Sequence, residues 1–186
     1  WKPHFRQLRH RIKQMLYSAP IKPMLAIDFS EPFDSVDHLY EIKWDGYRCL
    51  AYCYDEVRLF SRNGHNITRE FSKIAEDLQL IDKDCVIDGE IVAFDSRGKP
   101  NFSLLQSKAG EKSICFIAFD LLYLDREPIM NQPLTLRKQS LNRLINRNPS
   151  ELTRVGLSRV VERRGISFYQ AITDLGLEGM IAKNKF

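Results

Sequence analysis

Acidic residues are missing from the first 27 positions of this 186-residue chain, while Lys2, Arg6, Arg9, Arg11, Lys13 and Lys22 all fall there. A mildly basic protein (formal charge +4) therefore carries a strongly cationic segment, which favours a polyanionic partner. No apolar run approaches the roughly 20 residues that cross a bilayer, and "WKPHFRQLRHRIKQ" lacks the apolar core of a signal peptide. A cytoplasmic protein is the expectation. Cysteine is scarce: Cys49, Cys53, Cys85 and Cys115 include no close pair of the kind that grips zinc, and no matching histidine pair follows. Each lies in an apolar, strand-like run, so reduced and buried thiols are expected. His4, His10, His38 and His65 are scattered and are assigned no chemistry. Internal repeats and low-complexity segments are also absent.

What is present fits one globular domain, with 44% hydrophobic and 28% charged residues. "HFRQLRHRIKQMLYS" has the periodicity of an amphipathic helix, and Pro20 and Pro23 end it. Strands are expected at "YEIK", "YRCLAYCY", "EVRLF", "DCVIDGEIVAF", "SICFIAFDLLYL", "RVGLSRVV" and "LEGMIAK", with turns at "SRNG" and "DSRGKP". Helices are expected at "TREFSKIAEDLQL", capped by Thr68, at "LTLRKQSLNRLINRN", capped by Thr135, and at "SFYQAITDLG", ended by Gly176. Helices interrupt the strands irregularly, which favours an α+β domain with largely antiparallel sheets.

Three of the apolar strands are broken by charge: Lys43 with Arg48, Asp88 with Glu90, and Glu178 with Lys183. Burying a charge is costly unless it is paired or liganded, so three such breaks imply one shared polar cleft. The plainer alternative is three unrelated hairpin tips.

The order of these groups decides between them. "KWDGYR" reads Lys-x-Asp-Gly-x-Arg, and "SRNG", "DGEIVAFD", "AFDLLYLD" and "LEGMIAK" follow, with "PMLA" upstream. The hexapeptide alone would arise by chance in a chain of this size about once in a thousand cases. From about Pro23 to Lys183 the sequence resembles the covalent nucleotidyltransferases: ATP-dependent DNA ligases, RNA ligases and capping enzymes. Its flanking segments are most similar to bacterial end-joining DNA ligases of the DNA ligase D type.

The resemblance implies an α+β, ATP-grasp-like adenylation domain over residues 23–186, preceded by a basic helix and linker over 1–22. It makes Lys43 the nucleophile that attacks the α-phosphate of ATP, expels pyrophosphate and keeps AMP as a phosphoramidate. The amine must be neutral to attack, which nearby cations, a metal ion or desolvation can favour. Gly46 is expected to permit the turn that aims Lys43, and Asp45 to hold the loop. Glu41 matches the acid that accepts from the adenine amino group, with Ile42 between it and the nucleophile at the nucleotide. Arg48 and Arg62 match ribose and phosphate contacts, Phe119 the ring that stacks on the base (or a plain core residue), and Lys183 a phosphate contact. Glu90 and Glu178 match the acids that hold Mg²⁺ or Mn²⁺, Glu90 also lying at the nucleotide. Asp88 and Asp120 are expected to be structural.

The implied reaction is sealing of 5′-phosphate/3′-hydroxyl breaks in double-stranded DNA, in repair or end joining at the bacterial nucleoid, with a Ku-type end-binding partner. The basic helix and the stretch from Arg137 to Arg164 are candidates for backbone contacts. Family members continue past "EGMIAK" to a two-lysine motif and an OB-fold domain, both absent before Phe186. "LLQSKAGEKSICF" is also short beside relatives. The expectation is a fragment limited to ATP binding and slow self-adenylation. RNA ligation, capping, or a catalytically silent nucleotide- or DNA-binding module are the alternatives.

Overall fold

The computed structural model describes residues 21–107, 113–147 and 150–186. The expected basic N-terminal helix lies outside them. Among the described residues nine strands and four helices follow in the order β1 (His38–Ile42), β2 (Tyr47–Cys53), β3 (Val57–Ser61), α1 (Ser72–Leu78), β4 (Cys85–Ala93), α2 (Phe102–Ser107), β5 (Ile114–Leu124), β6 (Glu127–Pro128), α3 (Leu134–Ile145), β7 (Val155–Leu157), β8 (Val161–Glu162), α4 (Gly165–Asp174) and β9 (Met180–Asn184). The larger sheet has the order β3-β2-β4-β5-β6, with β7 also pairing with β5; the smaller has the order β8-β1-β9. Among the described residues every pairing is antiparallel except β5 with β7.

Alternation along β2 explains where the polar cleft forms. Cys49, Ala51 and Cys53 point into the main core, which α1, α2 and α3 cover with Ile74, Leu78, Leu105, Leu141 and Ile145. Leu50 and Tyr52 point to the opposite face, into a smaller cluster with Tyr54, Phe60, Val86 and Leu122. Arg48 heads that second row, and the register sets it opposite Glu90, with Asp88 opposite Leu50. One sheet face is thus apolar at one end and charged at the other.

Several local expectations are corrected. Thr68 does not cap α1: its hydroxyl accepts from the Leu59 amide at 2.9 Å and donates to Asn66 Oδ1 at 2.7 Å, and the helix starts at Ser72 without a side-chain cap. Thr135 lies inside α3, whose cap position is held by Pro133, again without a side-chain hydrogen bond. "RVGLSRVV" is two strands, because the chain leaves the large sheet after β7 and joins the small one at β8. Ser158 makes that crossing, donating its amide to the Ala118 carbonyl at 2.9 Å. Three cysteines are buried as expected, whereas Cys115 is partly exposed; all four are free thiols. α4 ends as expected at Gly176, whose φ is +60°.

Candidate active site

Lys43 stands just past the end of β1, where the chain crosses from the small sheet to the large one. Its amide donates to the Gly179 carbonyl at 2.8 Å, extending the β1–β9 pairing by one bond. Its ammonium contacts Glu178, which precedes β9, and both side chains are part-exposed. The crossing loop is tied down by Trp44, whose Nε1 donates to Ser158 Oγ at 3.1 Å and whose ring packs edge-on against Phe94. Asp45 makes no hydrogen bond among the described residues, so the expected loop-holding role belongs to Trp44. Gly46 is required for a different reason from the one expected. Its φ is not left-handed, but a Cβ there would collide with the Ile91 carbonyl oxygen and crowd Glu90 Cγ. The glycine lets the loop lie directly on β4.

Around this amine the two sheets bring together most of the predicted site residues. Glu41 on β1 is 1% exposed, and Ile42 beside it pairs with Met180. Glu41 Oε1 lies 2.7 Å from Lys138 Nζ and 3.0 Å from Lys183 Nζ. Both ammonium groups pair with Oε1, and Oε2 has no donor. Phe119 occupies the bulge where the β4–β5 register shifts between Asp88 and Gly89. The Arg48 guanidinium stands 4.6 Å from the centre of its ring and the Lys183 ammonium 4.3 Å, both within cation–π range. Arg48 forms a two-pronged bridge to buried Asp88, Nε to Oδ1 at 2.6 Å and Nη2 to Oδ2 at 2.7 Å. Burial still pushes the Asp88 carboxyl up, with Arg48 opposing. Asp120 is braced in the same way by Arg137 Nε and Nη2, both at 2.9 Å. The two aspartates are structural, as expected. Arg62 is exposed in the turn after β3, and no hydrogen bond or ion pair joins it to the cluster among the described residues.

Glu90 faces Arg48 across the β2–β4 pairing and is mostly buried. Burial raises its carboxyl from 4.5 to about 7, while Arg48 and Lys43 pull the other way. A carboxyl that holds its proton more tightly when folded lowers stability as pH rises between those two values, and the cost is complete above about 7. We therefore expect Glu90→Gln to melt higher than the parent at about pH 8, by up to about 3 kcal/mol, with the gain vanishing near pH 4. Urea titrations at the two pH values test this; an equal gain at both would contradict it.

Lys138, on α3, was not singled out as a site residue. The basic stretch from Arg137 to Arg164, expected to face a polyanion, is not uniformly available: Arg137 is committed to Asp120, Lys138 to Glu41 and Arg147 to Asp82. Arg143, Arg159, Arg163 and Arg164 remain exposed. Among the described residues no group of three His, Cys, Asp or Glu is arranged to hold a metal ion, and no helix is long and apolar enough to cross a membrane.

Comparison with known proteins identifies the family. Residues 23–185 match the family model described as ATP dependent DNA ligase domain. The SPbeta prophage-derived DNA ligase-like protein LigB of Bacillus subtilis is 30% identical over 168 residues, 88% of this chain and 60% of that protein. The multifunctional non-homologous end joining DNA repair protein LigD of Mycobacterium tuberculosis is 36% identical over 150 residues, 78% of this chain and 19% of that protein. A solved structure of mycobacterial DNA ligase D complexed with ATP and MES superimposes with a TM-score of 0.76 at 33% identity, over 88% of this chain and 54% of that one. The chain therefore spans 60% or less of each of these relatives. The match over residues 23–185, and a fold shared with that ligase, place the chain in the ATP-dependent DNA ligase domain family.

Proposed function

We propose that residues 23–186 act as the adenylation domain of a DNA ligase, with Lys43 as the nucleophile that takes AMP from ATP. The observation that carries this reading is the linked group Lys43–Glu178, Glu41–Lys183 and Phe119–Arg48–Asp88, assembled from both sheets beside one part-exposed amine. Glu41 Oε2 is the acceptor for the adenine amino group, and the Phe119 ring is the surface on which the base stacks. Arg48, Arg62 and Lys183 supply charge for the ribose and phosphates, Arg62 being the most exposed of these arms. Ile42 closes the base side of the nucleotide. The N–P bond forms as the bond from the α-phosphorus to the bridging oxygen breaks, and pyrophosphate leaves. An ammonium has no lone pair to give, so the Lys43–Glu178 contact must open and the ammonium must pass a proton to solvent, which reaches both part-exposed side chains, before attack.

Glu178 and Glu90 supply hard oxygen donors, which suit Mg²⁺ or Mn²⁺ held with water and phosphate oxygens rather than in an all-protein cage. Such an ion would neutralise charge on the phosphates. The substrate is a nick or break in double-stranded DNA, sealed in repair or end joining at the bacterial nucleoid, where a Ku-type end-binding protein would recruit the ligase. The basic segment over residues 1–22 and the exposed Arg143, Arg159, Arg163 and Arg164 supply backbone contacts. An OB-fold domain would complete the sealing machinery.

Incubation with labelled ATP or GTP and a divalent ion, followed by transfer to nicked DNA or nicked RNA, tests the proposal. Label should enter the protein from ATP and pass to the 5′-phosphate of DNA. Label from GTP alone, or transfer to RNA in preference to DNA, would overturn it.

A further inference from the structure

Glu41 is the most deeply buried acid at the site, and its carboxylate is poorly provided for. A carboxylate at 1% exposure needs compensating charge, and here both compensating groups stand at one of its two oxygens. Two ammonium groups converge on one oxygen, Oε1, and leave Oε2 as a buried acceptor without a donor. Lys183 is one of them and also stands over Phe119. Lys138 is the other, and its connections are different: Nζ reaches Glu41 on the small sheet at 2.7 Å and donates to the Phe119 carbonyl on the large sheet at 2.9 Å. One side chain thus fixes the spacing between the acid and the ring. Its own side chain is 13% exposed, and α3 anchors it through Leu134, Leu141 and Ile145.

We infer that Lys138 is a positioning residue for purine selection, clamping Glu41 so that Oε2 is held in place to accept from an exocyclic amino group. The inference rests on the reading of Glu41 as the base contact. Adenine presents an amino donor at purine position 6, whereas guanine presents a carbonyl oxygen that an ionised carboxylate repels. Removing Lys138 takes away one of two compensating charges. A carboxylate no longer tied to the Phe119 carbonyl through Lys138 swings free and presents Oε2 to neither base at a fixed distance. That loss of aim erodes the preference for ATP. A buried polar site that rejects the wrong partner owes its selectivity to a group left unpaired, which is the effect at stake here.

The test compares dissociation constants for ATP and GTP, and KM and kcat for adduct formation, in the 186-residue chain and in Lys138→Met and Lys138→Arg. Thermal melting confirms that each variant is folded. We expect Lys138→Met to weaken ATP binding and to narrow the ATP-over-GTP preference by roughly 10- to 100-fold, chiefly through Kd and KM. Lys138→Arg keeps the charge with a different geometry, so a smaller narrowing is expected. If Lys138→Met does not fold, Lys138→Arg decides: an unchanged preference overturns the inference. A folded Lys138→Met with parental KM and preference, or with a loss confined to kcat, also overturns it. A parent chain that shows no preference for ATP, or forms no adduct, overturns the adenylation reading underneath, and the two failures are thereby distinguished.

Discussion

Lys43→Ala will bind ATP and form no covalent adduct. The side chain is half exposed and makes one ionic contact, with Glu178, so its removal leaves the fold intact. An exposed pair of this kind contributes about 0–1 kcal/mol to stability, and melting should hardly change. The chemistry, in contrast, has no substitute. Lys183 is engaged with Glu41 and Phe119, and Lys138 with Glu41 and the Phe119 carbonyl, so neither can replace the missing amine. Loss of a covalent nucleophile costs about 10⁴-fold or more. Lys43→Arg should be equally inactive, since a guanidinium stays protonated and cannot attack. Adduct yield by denaturing gel with labelled ATP measures both. A variant that retained more than a hundredth of the parental yield would place the nucleophile elsewhere.

Asp88→Ala is expected to lower stability by about 3–5 kcal/mol, the usual cost of leaving one half of a buried ion pair alone. Asp88 is 6% exposed in its side chain and Arg48 23%, and both prongs of the guanidinium end on this carboxylate. Marginal domains hold only about 5–15 kcal/mol in all, so the variant should sit close to unfolding at 37 °C. A second consequence separates this site from an ordinary core pair. Arg48 also stands over the Phe119 ring, so its release should weaken ATP binding in whatever fraction remains folded. Asp120→Ala provides the comparison, because it frees Arg137 and leaves the two-pronged Arg48–Asp88 bridge in place. Urea denaturation with and without ATP tests both points. Equal loss of ATP stabilisation in the two variants would remove Arg48 from the nucleotide site.

These two effects were unequally legible in the sequence. Lys43 could be read because the nucleophile, the glycine and the arginine lie within one hexapeptide, and such short-range order survives in a string of letters. The antiparallel α+β fold followed from near-continuous apolar runs such as "YRCLAYC" and "CVIDGEIVA" succeeding one another, with helices placed irregularly between strands. Lys138 could not be read. It lies in a run of basic residues that looks like a solvated face, and only the docking of α3 on β5 turns it inward to Glu41. The split at Ser158 was hidden because both halves of "RVGLSRVV" are apolar, and propensity does not say which sheet a strand joins. α2 was missed because six residues complete fewer than two turns. Thr68 misled because a threonine before an apolar run serves a turn as well as a cap, and here the Leu59 amide claimed its hydroxyl.

One particular nitrogen, Nζ of Lys43, is expected to become bonded to phosphorus. Digestion of the ATP-treated chain at neutral to alkaline pH, which spares a P–N bond, followed by fragment mass spectrometry, locates the adduct directly. A single added AMP is expected on the peptide containing Tyr40–Arg48, carried by Lys43 and released by mild acid. AMP on Lys138, Lys183 or any other residue, or an acid-stable adduct, would contradict it.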